Sequence, residues 1–211
     1  MKEVKAIVFD IGGVLLINEE EYKKRKISQK HLGVHQEVAR QLKISVDQWF
    51  DAIDTPYALS MQGKISENKV VKTISKNLQI STKRLEKVYL NAFKKHFNKN
   101  KELYDFALKL KKQGYKIAIL SDQWHLSKKA CPKIFYKTFN PVVLSCDVGI
   151  RKPDPKIFKL ILKKLKVRPH EAVFIDNQKW NIDAAKKLGI QTILFRDNKQ
   201  VFKQLKKFGI K

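Results

Sequence analysis

"VFDIGGVLLINE" (8–19) is the stretch on which the reading of this chain turns. The run "KAIVF" (5–9) is short, apolar and partly β-branched, and it reads as a buried strand. It stops at a lone carboxylate, Asp10, with Gly12 and Gly13 just beyond. Glycines there permit a sharp turn and a close backbone approach to a ligand. By itself the segment leaves three readings open: Asp10 as a nucleophile, as a metal ligand, or as a turn former, the commonest use of such a stretch.

The next strand-like run comes only at "KIAIL" (116–120). Between the two lies a long stretch with helical spacing. In "VARQLKISVDQWFDAI" (38–53), Val38, Leu42, Trp49 and Ile53 recur at fours and sevens. Val70, Ile74 and Leu78 do so after Ser66, and Leu85, Tyr89, Phe93 and Phe97 after Ser81, with each serine placed as an N-cap. Residues 18–98 therefore read as a helical insertion.

Beyond it the pattern alternates. A helix from about Lys101 to Gln113 should stop at Gly114. "PVVLS" (141–145), "AVFID" (172–176) and "QTILF" (191–195) read as strands. Helices starting at Pro155, spanning "NIDAAKKLG" (181–189) and spanning "KQVFKQLKKF" (199–208) separate or follow them. Strands alternating with helices imply βαβ crossovers and a mainly parallel sheet, an α/β fold. Ligands of such sheets sit beyond the carboxyl ends of the strands. That rule selects Asp10, Ser121 and Asp176, with Lys152 in the loop after "PVVLS". An acid, a hydroxyl, an ammonium and a second acid in one cleft suit phosphoryl transfer through an aspartyl-phosphate. Each has a plainer use. Ser121 and Asp176 are good helix caps, and a lysine before Pro153 is usually an exposed loop residue.

Four segments, "VFDIGGVLL" (8–16), "ILSD" (119–122), "GIRKPDPKIF" (149–158) and "FIDNQKWNIDAAKKLGI" (174–190), together resemble the haloacid dehalogenase (HAD) superfamily in order, spacing and strand-end placement. The insertion resembles the C1 cap of the subfamily I phosphatases. "MQGKISENKVVKTISKNLQIS" (61–81) is similar to the cap helices of the branch related to glucose-1-phosphate phosphatase and the epoxide hydrolase N-terminal domain. The resemblance implies a Rossmann-like core at 1–17 and 99–211 and a helical cap at 18–98. It implies a hydrolase, a Mg²⁺-dependent phosphatase of a small phosphorylated metabolite. Asp10, Ser121 and Lys152 would be catalytic. Gly12, Gly13, Ser121, Asp122 and Lys152 would bind the phosphate. Asp10, the Gly12 carbonyl, Asp176 and Asn177 would hold Mg²⁺, with Asp176 alternatively holding Lys152. Asn181 matches the asparagine of the branch pattern.

Two departures bear on activity. Position 12 is Gly where most family phosphatases carry a second Asp, which removes a proton-transfer contribution of roughly 10²–10⁴-fold. Asn177 stands where the family often has a second acid and offers only a neutral oxygen. They leave two rivals: a weakened member that binds a phosphorylated ligand or partner without turnover, and a metal-independent 2-haloacid dehalogenase. The dehalogenase would need a halide-binding arginine, for which only Arg25 and Arg40 are candidates.

The composition is compatible with all of these. The chain has 211 residues, 43% hydrophobic, enough for one substantial core with an insertion. Its formal net charge is +25, from 45 basic and 20 acidic residues. Only six of the basic residues are Arg, the residue favoured for phosphate forks, and the lysines are spread along the whole chain. A solvated lysine surface is therefore expected and a nucleic-acid partner is not, although the field suits anionic ligands. No stretch approaches the roughly 20 apolar residues that span a bilayer, and the apolar run at 6–9 is too short for a signal segment. Two cysteines without metal-ligand spacing fit a reduced, cytoplasmic setting.

Overall fold

Ala6–Phe9 (β1) is a strand whose four residues are all buried. The structure, a computed structural model, describes residues 3–18 and 32–210. After the turn at Gly12–Gly13 the chain forms Leu16–Ile17 (β2), which pairs antiparallel with Asn98–Lys99 (β3). The chain thus leaves toward the insertion and returns from it side by side.

β1 is the central strand of a five-stranded sheet. Lys116–Ser121 (β4) pairs with it on one side and Ala172–Asp176 (β6) on the other. Val142–Leu144 (β5) and Gln191–Leu194 (β7) complete the order β5–β4–β1–β6–β7, with every pairing parallel. This is the expected Rossmann-like α/β sheet. Alternate residues explain its burial on both faces. Ile7, Phe9, Ile117, Ile119, Val173 and Ile175 point to one apolar layer, while Ala6, Val8, Ala118, Leu120 and Phe174 point to the other. The second layer is filled by Ile157, Phe158 and Ile161 of the helix Pro155–Leu165, and by Ile182 and Ala185 of the helix Lys179–Lys187.

Between β2 and β3 the described chain holds the helices Leu32–Leu42 (α1), Val46–Met61 (α2), Glu67–Asn77 (α3) and Thr82–His96 (α4). The spacing of Val38, Leu42, Trp49 and Ile53 suggests one continuous run, but the chain breaks there. Lys43 has φ 60° and Ser45 caps α2, exchanging hydrogen bonds with Gln48 in a capping box. All four apolar residues are still buried, so the two helices share one core. Ser66 and Ser81 cap α3 and α4 as their positions predict. α1 is also tied to α4 through the Glu37 carboxylate, which accepts from Arg40, Gln41 and Lys95. The insertion's apolar side is continuous with the Phe9 layer of the sheet. It also approaches the core closely at Gly63, where an added Cβ would lie 3.1 Å from the Gly149 Cα. No helix among the described residues is long and apolar enough to cross a membrane.

Candidate active site

The parallel register brings Asp10, Ser121 and Asp176 to one edge of the sheet. Phe9 pairs with both Ile119 and Ile175, so Asp10 and Asp176 follow at the same level, and Ser121 ends β4 one residue further on. The Asp10 N–H donates to the Ile175 carbonyl at 2.9 Å, which fixes the first residue past β1. The loop 149–154 then carries Lys152 across these ends. Its backbone N–H donates to Asp122 Oδ1 at 3.0 Å, and Arg151 Nε lies 3.7 Å from Asp122 Oδ2.

Lys152 is not the exposed loop lysine that its neighbour Pro153 suggests. Its side chain is 2% exposed. The ammonium lies 2.6 Å from Asp176 Oδ2, 3.0 Å from Asp10 Oδ1 and 3.3 Å from the Leu120 carbonyl. Three acceptors match its three protons. Burial alone would lower the lysine pKa, but the Asp10, Asp176 and Asp122 carboxylates outweigh it and hold the ammonium above its ordinary value.

Asp176 is fully buried. Burial pushes its carboxyl up and Lys152 pulls it back. Every hydrogen-bond partner it has is a donor: Lys152 on Oδ2, the Gln178 N–H at 2.7 Å on Oδ1, and Asn181 Nδ2 at 3.1–3.2 Å to both oxygens. Those contacts favour the ionised form. Of the two roles expected for Asp176, holding Lys152 is the one this geometry realises. Its oxygens are already occupied by protein donors, so direct metal ligation is not its arrangement here.

Ser121 is buried, and its Oγ accepts from Gln123 Nε2 at 3.0 Å, which leaves the hydroxyl proton free to donate. The cleft at this edge has a volume of about 580 Å³ counting its open mouth. Asp10, Gly12, Ser121, Asp122, Lys152 and Asn177 line it together. Gly13 does not line it. Its N–H donates to the Leu16 carbonyl at 2.7 Å, so it is turned away from a phosphate. Its role is different: φ is +78°, and a Cβ there would run into the Asn177 amide. Gly13 thus makes room for Asn177.

Asn177 Oδ1, Gln178 Oε1 and Asn181 Oδ1 are buried without a hydrogen-bond partner, and all three residues line the cleft. Unmatched buried acceptors beside the Asp10 carboxylate suit a hard cation, which takes oxygen ligands. No cluster of three His, Cys, Asp or Glu suited to a metal occurs among the described residues. Any such ion would therefore lean on Asp10 and neutral oxygens. Arg40 is engaged by Glu37, and Arg25 lies outside the described residues.

Sequence reasoning passed over Gln123, Arg151 and Gln178. Gln123 orders the Ser121 hydroxyl, and its own backbone is held by Ser145 Oγ at 3.0 Å. Arg151 carried an available signal, since it is one of only six arginines and adjoins the motif lysine.

Over residues 4–189 the chain matches the family described as haloacid dehalogenase-like hydrolase. It is 33% identical over 116 residues to bifunctional epoxide hydrolase 2 of Rattus norvegicus, which covers 51% of this chain and 21% of that protein. This chain thus aligns with about a fifth of that relative's length. It is 36% identical over 98 residues to glyceraldehyde 3-phosphate phosphatase of Pyrococcus furiosus, covering 44% of this chain and 40% of that one. It is 35% identical over 96 residues to (S)-2-haloacid dehalogenase 4A of Burkholderia cepacia, again covering 44% and 40%. A HAD family enzyme of Bacteroides thetaiotaomicron, solved in complex with magnesium and inorganic phosphate, has a similar fold. Its TM-score is 0.71 at 20% identity, over 94% of this chain and 99% of that one.

Proposed function

Because the chain belongs to the haloacid dehalogenase-like hydrolases, we propose that it is a Mg²⁺-dependent phosphatase of a small phosphomonoester, acting through Asp10. The observation that carries this reading is the Lys152 ammonium, 3.0 Å from Asp10 Oδ1 and 2.6 Å from Asp176 Oδ2 in a cleft shared with Ser121. Asp10 Oδ2, the oxygen not paired with Lys152, attacks phosphorus in line. The O–P bond to Asp10 forms as the bond to the alcohol oxygen breaks, and the alcohol takes its proton from water because position 12 has no side-chain acid. Water then attacks the aspartyl-phosphate, releasing phosphate and restoring Asp10. Ser121 donates its hydroxyl to a phosphoryl oxygen, and Lys152 offsets the charge that gathers on the phosphoryl group and Asp10. Asp10, the Gly12 carbonyl and Asn177 would hold Mg²⁺, which when bound draws charge from the phosphoryl oxygens. The helices between 18 and 98 act as the cap that excludes bulk water from the 1–17 and 99–211 core.

A rival is metal-free halide displacement by the same Asp10. It is favoured by the full occupation of the Asp176 oxygens by protein donors. A panel of phosphomonoesters and 2-haloacids, with Mg²⁺ and with chelator, separates the two. Phosphate release that stops with chelator and returns with Mg²⁺ supports the phosphatase. Chelator-resistant halide release, with no ester cleaved, overturns it.

A further inference from the structure

A second cleft of about 460 Å³, counting its open side, adjoins the phosphoryl cleft, and Gly12, Asp122 and Gln123 line both. Its wall is otherwise mainly apolar. Ile11, Leu16 and Trp124 come from the core, and Met61, Tyr89 and Phe93 from the insertion helices. The polar atoms around it are mostly engaged with one another. Trp124 Nε1 donates to the Tyr89 hydroxyl at 3.0 Å, and Trp49 Nε1 donates to His35 Nδ1 at 2.8 Å. Ser127 Oγ donates to the Trp124 carbonyl at 3.0 Å, and Asp122 accepts the Lys152 N–H. The chain carries 45 lysines and arginines, yet none of the described residues lining this chamber is one of them.

Among the described residues, a group bound here meets hydrocarbon and aromatic faces and no lysine or arginine. A carboxylate or second phosphate would lose its water without an ionic partner, and a sugar would lose hydrogen bonds to water that the wall does not replace. An apolar group gains on entry.

We infer that the substrate is a phosphomonoester whose organic group is neutral and largely apolar, with its phosphate at Asp10 and Lys152 and that group in the Trp124–Tyr89–Met61 chamber. This rests on the phosphatase reading above and narrows it. The organic group is bound jointly by core and insertion, so the insertion selects the substrate as well as excluding water.

The test is a series of n-alkyl phosphates from ethyl to octyl, set against glycerol phosphate and glucose 6-phosphate, with Mg²⁺ present. kcat/KM should rise about two- to fourfold per added methylene over the first few carbons, the change expected for moving a CH₂ out of water. The polar esters should fall below the longer alkyl esters. In parallel, alkylphosphonates, which carry no cleavable ester bond, are titrated into the unaltered protein. Affinity should climb with chain length, with an increasingly negative heat-capacity change. Met61→Lys, which puts a cation in the chamber, should flatten both series. A flat alkyl series with ready cleavage of glycerol or glucose phosphate would overturn the apolar assignment and leave the phosphatase intact. If no ester is cleaved but phosphonate affinity still climbs with chain length, the phosphatase reading falls and the chamber assignment stands. If affinity does not climb, the chamber assignment falls.

Discussion

The Lys152 ammonium meets the Asp176 carboxylate at 2.6 Å, with the two side chains 2% and 0% exposed. A buried pair of this kind is weak evidence of net stabilisation, because desolvation of both ions opposes their attraction. Its consequence appears when one partner is removed. Asp176 would then be left facing Asp10 with no intervening cation.

Lys152→Met should therefore cost about 3–5 kcal/mol of stability and abolish turnover. The double variant Lys152→Met with Asp176→Asn should recover part of the stability and none of the activity. Denaturant unfolding of the four proteins in the cycle gives the coupling directly. Additive stability losses would mean that the pair does not act as a unit.

Asp10→Asn keeps the shape and removes the nucleophile. Turnover should fall by more than about 10⁴-fold, since a nucleophile acts as a unit with its activating groups. The loss of stability should be smaller than for Lys152→Met, because Asp176 still neutralises Lys152. Initial rates on the best ester, alongside a thermal melt, check both. Activity within about a hundredfold of the parent would move the chemistry away from Asp10.

Asn177→Asp adds one negative charge to the oxygen set beside Asp10. Mg²⁺ favours anionic oxygens, so half-maximal activity should shift to lower Mg²⁺, and calorimetric Mg²⁺ affinity should rise about tenfold or more. Gly13→Ala should act in the opposite direction, because its Cβ displaces the Asn177 amide and φ is unfavourable. An unchanged Mg²⁺ affinity in both variants would remove Asn177 from the metal.

Acid sensitivity should be traceable to a contact outside the site. Glu171 accepts from Lys5 Nζ at 2.8 Å, the Arg168 N–H at 2.7 Å and Arg168 Nη2 at 3.1 Å. Those donors, Lys5 first, lower its pKa from 4.5 to about 2. A carboxyl depressed in the folded state contributes stability that is fully present above the unfolded value near 4.5, and that is lost as pH falls toward 2. Tm measured across that window should decline less steeply in Glu171→Gln than in the parent. Parallel curves would show that Glu171 is not linked to acid unfolding.

The fold was largely legible in the order of residues. Runs such as "AIVF" and "AVFI" are apolar on every position, and only a sheet covered on both faces requires that. Ser66, Ser81, Gly114 and Pro155 mark helix ends through local backbone chemistry that needs no distant partner. The break at Lys43–Ser45 was hidden because helices on both sides of it supply one continuous apolar face, and periodicity reports the face rather than the chain path.

Sequence by itself determined which groups lie at strand ends, since parallel strands deliver their last residues to one edge. It could not assign their partners. Whether Lys152 lies in water or between Asp10 and Asp176 depends on a loop crossing three strands, held by Asp122 from β4's far end. Gly13 was expected at the phosphate, whereas the use the geometry shows, clearing space for Asn177, involves a residue far along the chain. The apolar chamber was invisible for the same reason. Tyr89 reads as one apolar position of its helix, Met61 and Trp124 carry no local signal of their own, and only tertiary packing sets the three around a space that adjoins the phosphoryl cleft. Local pattern encodes burial; which groups face one another is fixed by contacts between segments distant in the chain.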